Sequence, residues 1–141
     1  MKIPKDVKDL LKNEKLCAMA TSWEDKPYLS LMNFTYVEEE NKVVLSSRKN
    51  SRKYYNIQKN KNISLLLFSS SEKLSVTFLG TAITMNVENK KENYYREMHI
   101  KKSNMPQFIL GDNIGIIVFN IEEIIISNDQ DEVKYINESS Q

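Results

Sequence analysis

The sequence predicts a mainly β fold of six antiparallel strands, closing as a Greek-key or meander barrel with two or three short helices at its mouths. Three observations carry this. Apolar residues fall into strand-sized runs, such as 63–68 and 114–119, bounded by short polar turns. Residues 74–87 alternate with a period of two, and Gly80 within them marks the bulge or bend that a curling sheet needs. Helical spacing is confined to a few short segments, too few to alternate with strands as a parallel sheet requires.

In chain order, residues 6–13 form a short amphipathic helix, with Val7, Leu10 and Leu11 at helical spacing. LCAMATS (16–22) is a small, apolar, buried strand, and Cys17 within it reads as a core residue. WEDKP (23–27) closes a hairpin onto YLSLMNFTYV (28–37). In that strand Leu29, Leu31, Asn33 and Thr35 alternate with Ser30, Met32, Phe34 and Tyr36. Neither face is purely polar, so one meets the core and the other a partly apolar ligand or partner subunit. An acidic turn, 38–42, leads to a third strand at 43–47. Asn50 or Ser51 caps a helix reaching about Asn60, with Tyr54 and Ile57 facing inward.

Residues 63–69 form a strongly apolar strand, 70–73 a turn and 74–87 the long alternating strand. Helical spacing returns over 89–103, followed by a loop at 104–113 with Met105 and Phe108 exposed. Residues 114–127 are the last long strand, broken at Glu122 and Glu123. Residues 1–128 are thus read as one domain and 129–141 as a polar tail, in which 133–136 is a candidate edge strand.

Bulk properties narrow the function. A chain of 141 residues suits a single domain with a real core. A formal net charge of +1 gives no global field for a polyanion. One cysteine excludes an internal disulfide framework, and the N-terminus lacks an apolar signal core, so a cytoplasmic protein is expected. The longest apolar runs fall well short of a membrane-spanning helix.

The one local anomaly lies in VVLSSRKNSRKYYNI, residues 43–57. A helix N-terminus carries partial positive charge and favours Asp or Glu. Here Arg52 and Lys53 occupy the first turn, with Arg48 and Lys49 just before it. The counterpart such a site asks for is an anion, most simply a phosphate held by backbone N–H groups, hydroxyls and two or three cations. Other chemistry is missing. His99 is the only histidine and reads as a surface or interface residue; the three glycines form no nucleotide-binding loop; no paired metal-ligand spacing occurs, and no metal site is expected. With so little acid–base equipment, catalysis would fall to a cofactor.

The order LCAMATS, PYLSLMNFTYV, KVVLSSRKNSRKYYNIQKNKNISLLLF and LSVTFLGTA resembles the FMN-binding split-barrel superfamily, the pyridoxamine 5′-phosphate oxidase-like group with its general-stress-protein and nitroimidazole-resistance-like branches. The resemblance runs from about Leu10 to Ile126. It implies a split barrel, a homodimer with cofactor clefts at the interface, and FMN ahead of deazaflavin F420 or haem. It assigns the phosphate to Ser51, Arg52 and Lys53, with Ser46 and Ser47 on phosphate or ribityl oxygens; Arg48 has no fixed role in that family but stands within reach of the phosphate. It sets Leu31, Met32, Asn33 and Phe34 along the isoalloxazine, and Ser75 or Thr77 against the ring. The segment 105–108 and the helix 92–102 are further candidates for pocket lining. True pyridoxamine phosphate oxidases carry a C-terminal Arg and His; no Arg follows Arg96 and no His follows His99. A flavin-dependent oxidoreductase of another, unknown substrate is therefore expected. The alternative is a non-catalytic binding module whose basic turn, Arg48 to Lys53, meets nucleic acid or a protein, with Tyr54 and Tyr55 stacking on bases.

Overall fold

The computed structural model describes residues 1–103, 106, 109–128 and 132–136. Its strands are β1 (Leu16–Trp23), β2 (Lys26–Asn33), β3 (Thr35–Val37), β4 (Lys42–Arg48), β5 (Asn62–Ser69), β6 (Leu74–Thr84), β7 (Ile114–Ser127) and β8 (Glu132–Ile136). All pair antiparallel in one sheet, seven along the path β2-β1-β5-β6-β7-β4-β3, with β8 added to β7. The helices are α1 (Lys5–Asn13), α2 (Arg52–Lys59) and α3 (Glu92–Ser103).

The mainly β, curled antiparallel architecture is as expected, with more strands than the six anticipated. One extra strand arises at Phe34. Residues 28–37 read as a single strand because their alternation is unbroken and no Gly or Pro interrupts it. Phe34 instead leaves the ladder, its N–H bonding to the carbonyl of Lys15 and its ring burying in the core. The chain thereby steps from β2, at one end of the path, to β3, at the other. Two sheet ends joined through one residue have to lie close together, so the sheet curls into a barrel with a seam between β2 and β4. The other extra strand, β8, is the edge strand anticipated near 133–136.

The bulge falls where Gly80 marks it. Leu79 pairs with Glu123 and Gly80 with Ile121, which leaves Glu122 as the extra residue on β7. A Cβ at Gly80 would run into the carbonyl oxygen of Asn120. The extra residue shifts the buried side of β7 from Ile117, Phe119 and Ile121 to Ile124 and Ile126. The strand thus runs over 114–127 as expected, and its break at the acidic pair is this bulge.

Val43, Leu45, Leu65, Leu67, Val76, Phe78 and Phe119 fill the barrel together with Val7, Leu10 and Leu11 of α1. A second core lies outside it. Val44, Ile116 and Val118 on the outer face of β4 and β7 pack with Tyr95 of α3 and with Ile109. Buried on both faces, residues 43–45 of β4 and 116–119 of β7 are continuously apolar. Among the described residues, the outer face of β1, β2, β5 and β6 has no such cover. Leu29 and Leu31 are 71% and 70% exposed, and Leu66 and Phe68 lie in the open beside them.

Candidate functional site

A cleft of about 390 Å³ opens at the seam, where β4 runs on past the end of its pairing with β3 and β2 turns away. One wall is Leu31, Met32 and Asn33; the other is Ser46, Ser47 and Arg48, joined by Ser51 and Lys53 at the head of α2. His99 and Ser103 of α3, with Ile109 and Ile114, complete it.

Local chemistry sets the basic end. Ser51 caps α2, its hydroxyl accepting from the N–H of Tyr54 at 3.2 Å and lying 2.7 Å from the hydroxyl of Ser47. The first N–H groups of the helix, on Arg52 and Lys53, have no intrahelical acceptor. No carboxylate among the described residues pairs with Arg48 or Lys53. Burial first, and the charge of Arg48 second, lower the Lys53 pKa below that of an ordinary lysine. Two neighbouring cations, a helix N-terminus and three serine hydroxyls together suit a multiply charged oxyanion such as a phosphate.

The other end is bounded by His99 and Ser103 of α3. His99 is fully buried, contrary to the surface position expected of it. Its Nδ1 lies 2.8 Å from Oγ1 of Thr35, and its Nε2 is buried without a hydrogen-bond partner among the described residues. Burial, and then the charge of Lys102, lower its pKa to about 4, so the ring is neutral at pH 7. The rim is organised by Arg96, which forks onto the Glu92 carboxylate at 2.9 and 3.0 Å. It also donates to the carbonyls of Ile109 and Ile114, both of them lining residues.

A family model described as pyridoxamine 5′-phosphate oxidase matches residues 3–128. The chain belongs to the pyridoxamine 5′-phosphate oxidase family. A family homologue from Schizosaccharomyces pombe is 30% identical over 155 aligned positions, covering 84% of this chain and 82% of the relative. Solved structures share the fold at low identity. A protein from Clostridium acetobutylicum related to general stress protein 26 aligns with a TM-score of 0.75 and 16% identity, over 96% of this chain and 95% of that one. A haem-binding protein from Mycobacterium smegmatis gives 0.76 and 14%, over 96% and 60%. An FMN-binding, pyridoxamine 5′-phosphate oxidase-related protein from Nostoc punctiforme gives 0.66 and 10%, over 90% and 83%.

Of the residues singled out in the sequence, this family member brings Leu31, Met32, Asn33, Ser46, Ser47, Arg48, Ser51 and Lys53 to one cleft and leaves four outside it. Phe34 is core, with the Lys102 ammonium 4.2 Å from its ring centroid. Arg52 points away, its guanidinium 5.9 Å from the ring centroid of Tyr28, beside a separate hollow lined by Trp23 and Glu24. Successive helical side chains diverge by about 100°, so adjacent Arg52 and Lys53 do not converge on one point; Arg48 supplies the second cation. Ser75 and Thr77 lie on β6. Three strand spacings separate it from β2 in the sheet, roughly 14 Å. They share the uncovered outer face with Leu66 and Phe68.

Of the two further lining candidates, α3 contributes His99 and Ser103, whereas Met105 and Phe108 lie outside the described residues. Sequence reasoning named the helix 92–102 without singling out His99 or Arg96 within it, and did not name Thr35 as a partner of the cleft. The available signal was the i, i+4, i+8 row Tyr95, His99, Ser103, a buried stripe made of polar residues.

Proposed function

We propose that the cleft binds FMN and that the protein is a flavin-dependent oxidoreductase. The observation that carries this is the pairing of Arg48 and Lys53, without carboxylate partners, with the hydroxyls of Ser46, Ser47 and Ser51 at one end of a slot whose other wall is Leu31 to Asn33. The cations and hydroxyls hold the phosphate, and each charge-assisted bond is worth about 1.5–3 kcal/mol. The β2 wall offers apolar side chains and backbone polar groups to the ring system. Bound flavin supplies hydride or electron transfer; the chain's own residues bind it, orient it and exclude water. The lining cations are taken up by the flavin phosphate, and none is left among the described lining residues for a second phosphate. That favours a substrate other than pyridoxamine 5′-phosphate.

Two copies pairing through the uncovered face of β1, β2, β5 and β6 would bury Leu29, Leu66 and Phe68 and enclose the open side of the cleft. Ser75 and Thr77 meet a flavin only in that assembly. The alternative of a nucleic-acid module loses one of its two stacking residues, because Tyr54 is buried against β7.

The decisive experiment is titration of purified protein with FMN, riboflavin and inorganic phosphate, followed by flavin absorbance and fluorescence. FMN is expected to bind at micromolar concentration or tighter, and riboflavin at least tenfold more weakly. Equal affinity for FMN and riboflavin rejects the phosphate assignment, and no binding of either rejects the function.

A further inference from the structure

The basic end of the cleft accounts for a phosphate, but nothing in that account uses His99. The imidazole is completely buried, it lines the cleft, and Nε2 is the polar atom left over once Nδ1 has met Thr35. Such an atom costs stability in the ligand-free chain unless something pairs with it.

The hydrogen bond fixes what Nε2 can offer. Of the two directions this contact allows, donation from the Thr35 hydroxyl to Nδ1 leaves fewer polar groups unpaired, because the hydroxyl has no other acceptor among the described residues. In a neutral ring accepting at Nδ1, the proton sits on Nε2, which is then a donor. Position along the strand indicates which part of a ligand it meets. Thr35 pairs with Val44, and the phosphate end runs from Ser46 to Arg48, two to four residues along β4. The step from Val44 to Arg48 is roughly 13 Å, which sets Thr35 toward the opposite end of the slot from the cations.

We infer that His99 donates a hydrogen bond from Nε2 to an acceptor atom on the ring system of the bound nucleotide, with Thr35 as the positioning residue that fixes its tautomer. The inference rests on the FMN reading and adds a second recognition point to it, a neutral donor opposite the charged phosphate anchor.

The test uses the full chain and two flavins. Replacing both partners, Thr35→Val with His99→Leu, removes the donor without leaving Thr35 unpaired. The double variant is expected to bind FMN and riboflavin each about tenfold more weakly, since the lost contact is to the ring they share. Its ligand-free melting temperature is expected to be no lower than wild type, whereas a histidine that only braces the fold would lower it. His99→Gln, whose amide nitrogen can stand near Nε2, is expected to keep FMN within threefold of wild type; His99→Asn, which stops short, is not. Wild type that binds neither flavin rejects the function itself. Wild type that binds FMN while the double variant, or the Asn variant should the double not fold, binds equally well overturns the role of His99 and leaves the function standing.

Discussion

The ring of Tyr54, on α2, lies directly over Gly115, on β7, so closely that a Cβ on the glycine would overlap its hydroxyl and ring carbons. Gly115 is also the β7 partner of Ser47. The absence of a side chain there lets α2 settle against the sheet and sets Ser51 and Lys53 beside Ser46 and Ser47. Gly115→Ala is therefore expected to lower FMN affinity about tenfold without altering any polar group at the phosphate end, and to destabilise the fold by about 1–3 kcal/mol through overpacking. Isothermal titration and thermal melts measure the two effects. Unchanged affinity would show that the helix has no need of that contact.

The basic residues are expected to separate sharply. Arg48→Ala and Lys53→Ala should each weaken FMN binding about 10- to 150-fold, matching the loss of one charge-assisted bond. Neither should change riboflavin binding by more than about threefold. Arg52→Ala, whose guanidinium faces Tyr28, should leave both within about threefold. A large effect at Arg52 and none at Arg48 would reverse the assignment.

Arg96→Met leaves the Glu92 carboxylate buried without its partner, and breaking such a pair typically costs about 3–5 kcal/mol. Because Arg96 also ties down the carbonyls of Ile109 and Ile114, the cleft rim should loosen with it. Hydrogen exchange at 109–114 should rise in this variant. The double change Arg96→Met with Glu92→Leu should recover much of the stability but not the rim protection. Recovery of both would mean that the carbonyl contacts contribute little.

The pH dependence of the ligand-free protein should carry the signature of His99. Its pKa is lowered from 6.5 to about 4 by burial, so between those values the unfolded chain binds the extra proton. Stability contributed by the neutral ring is complete above pH 6.5 and is lost as the pH falls toward 4, to a limit of about 3 kcal/mol. Glu38 and Glu40, lowered by hydrogen bonds from Lys12 and Tyr95 respectively, add loss at lower pH. Urea midpoints at pH 7, 5.5 and 4.5 should show the decline in wild type. The Thr35→Val, His99→Leu variant should hold level between pH 7 and 5.5, and an equal decline there would place the titration elsewhere.

Leu29 is exposed on the uncovered face and does not line the cleft. Leu29→Glu should convert a dimer to a species of half the mass by light scattering, with FMN affinity falling at the same time. A wild-type chain that is monomeric with FMN bound would remove the paired-copy arrangement and any role for Ser75 and Thr77.

Much of this site was legible in the sequence because it is local. Ser46, Ser47, Ser51 and Lys53 sit in one strand–turn–helix unit, and cations at a helix start break a rule that few other arrangements excuse. The direction of each side chain was not legible. Helical geometry, unseen in a string of letters, leaves Arg48 lining the cleft and turns Arg52 toward Tyr28. Phe34 hid the step between strands because it keeps the alternation while leaving the ladder. His99 was obscured by its helix, whose buried stripe includes Glu92, Tyr95 and Ser103. Apolar periodicity has nothing to register on such a face, and only packing against Thr35, 64 residues earlier, reveals it.

The β4–β7 ladder has a kinetic consequence. Ser47 faces Gly115 and Arg48 faces Ile114, partners separated by nearly half the chain. Contacts of such long sequence separation are slow to form, since the loop between them must close before any bond rewards it. The wall that carries the cations is therefore among the last surfaces the folding chain completes. A nucleotide cannot guide the early search for this structure. Its influence comes afterwards, as a brake on unfolding, so added ligand should lengthen the lifetime of the native state while leaving the rate of folding almost untouched.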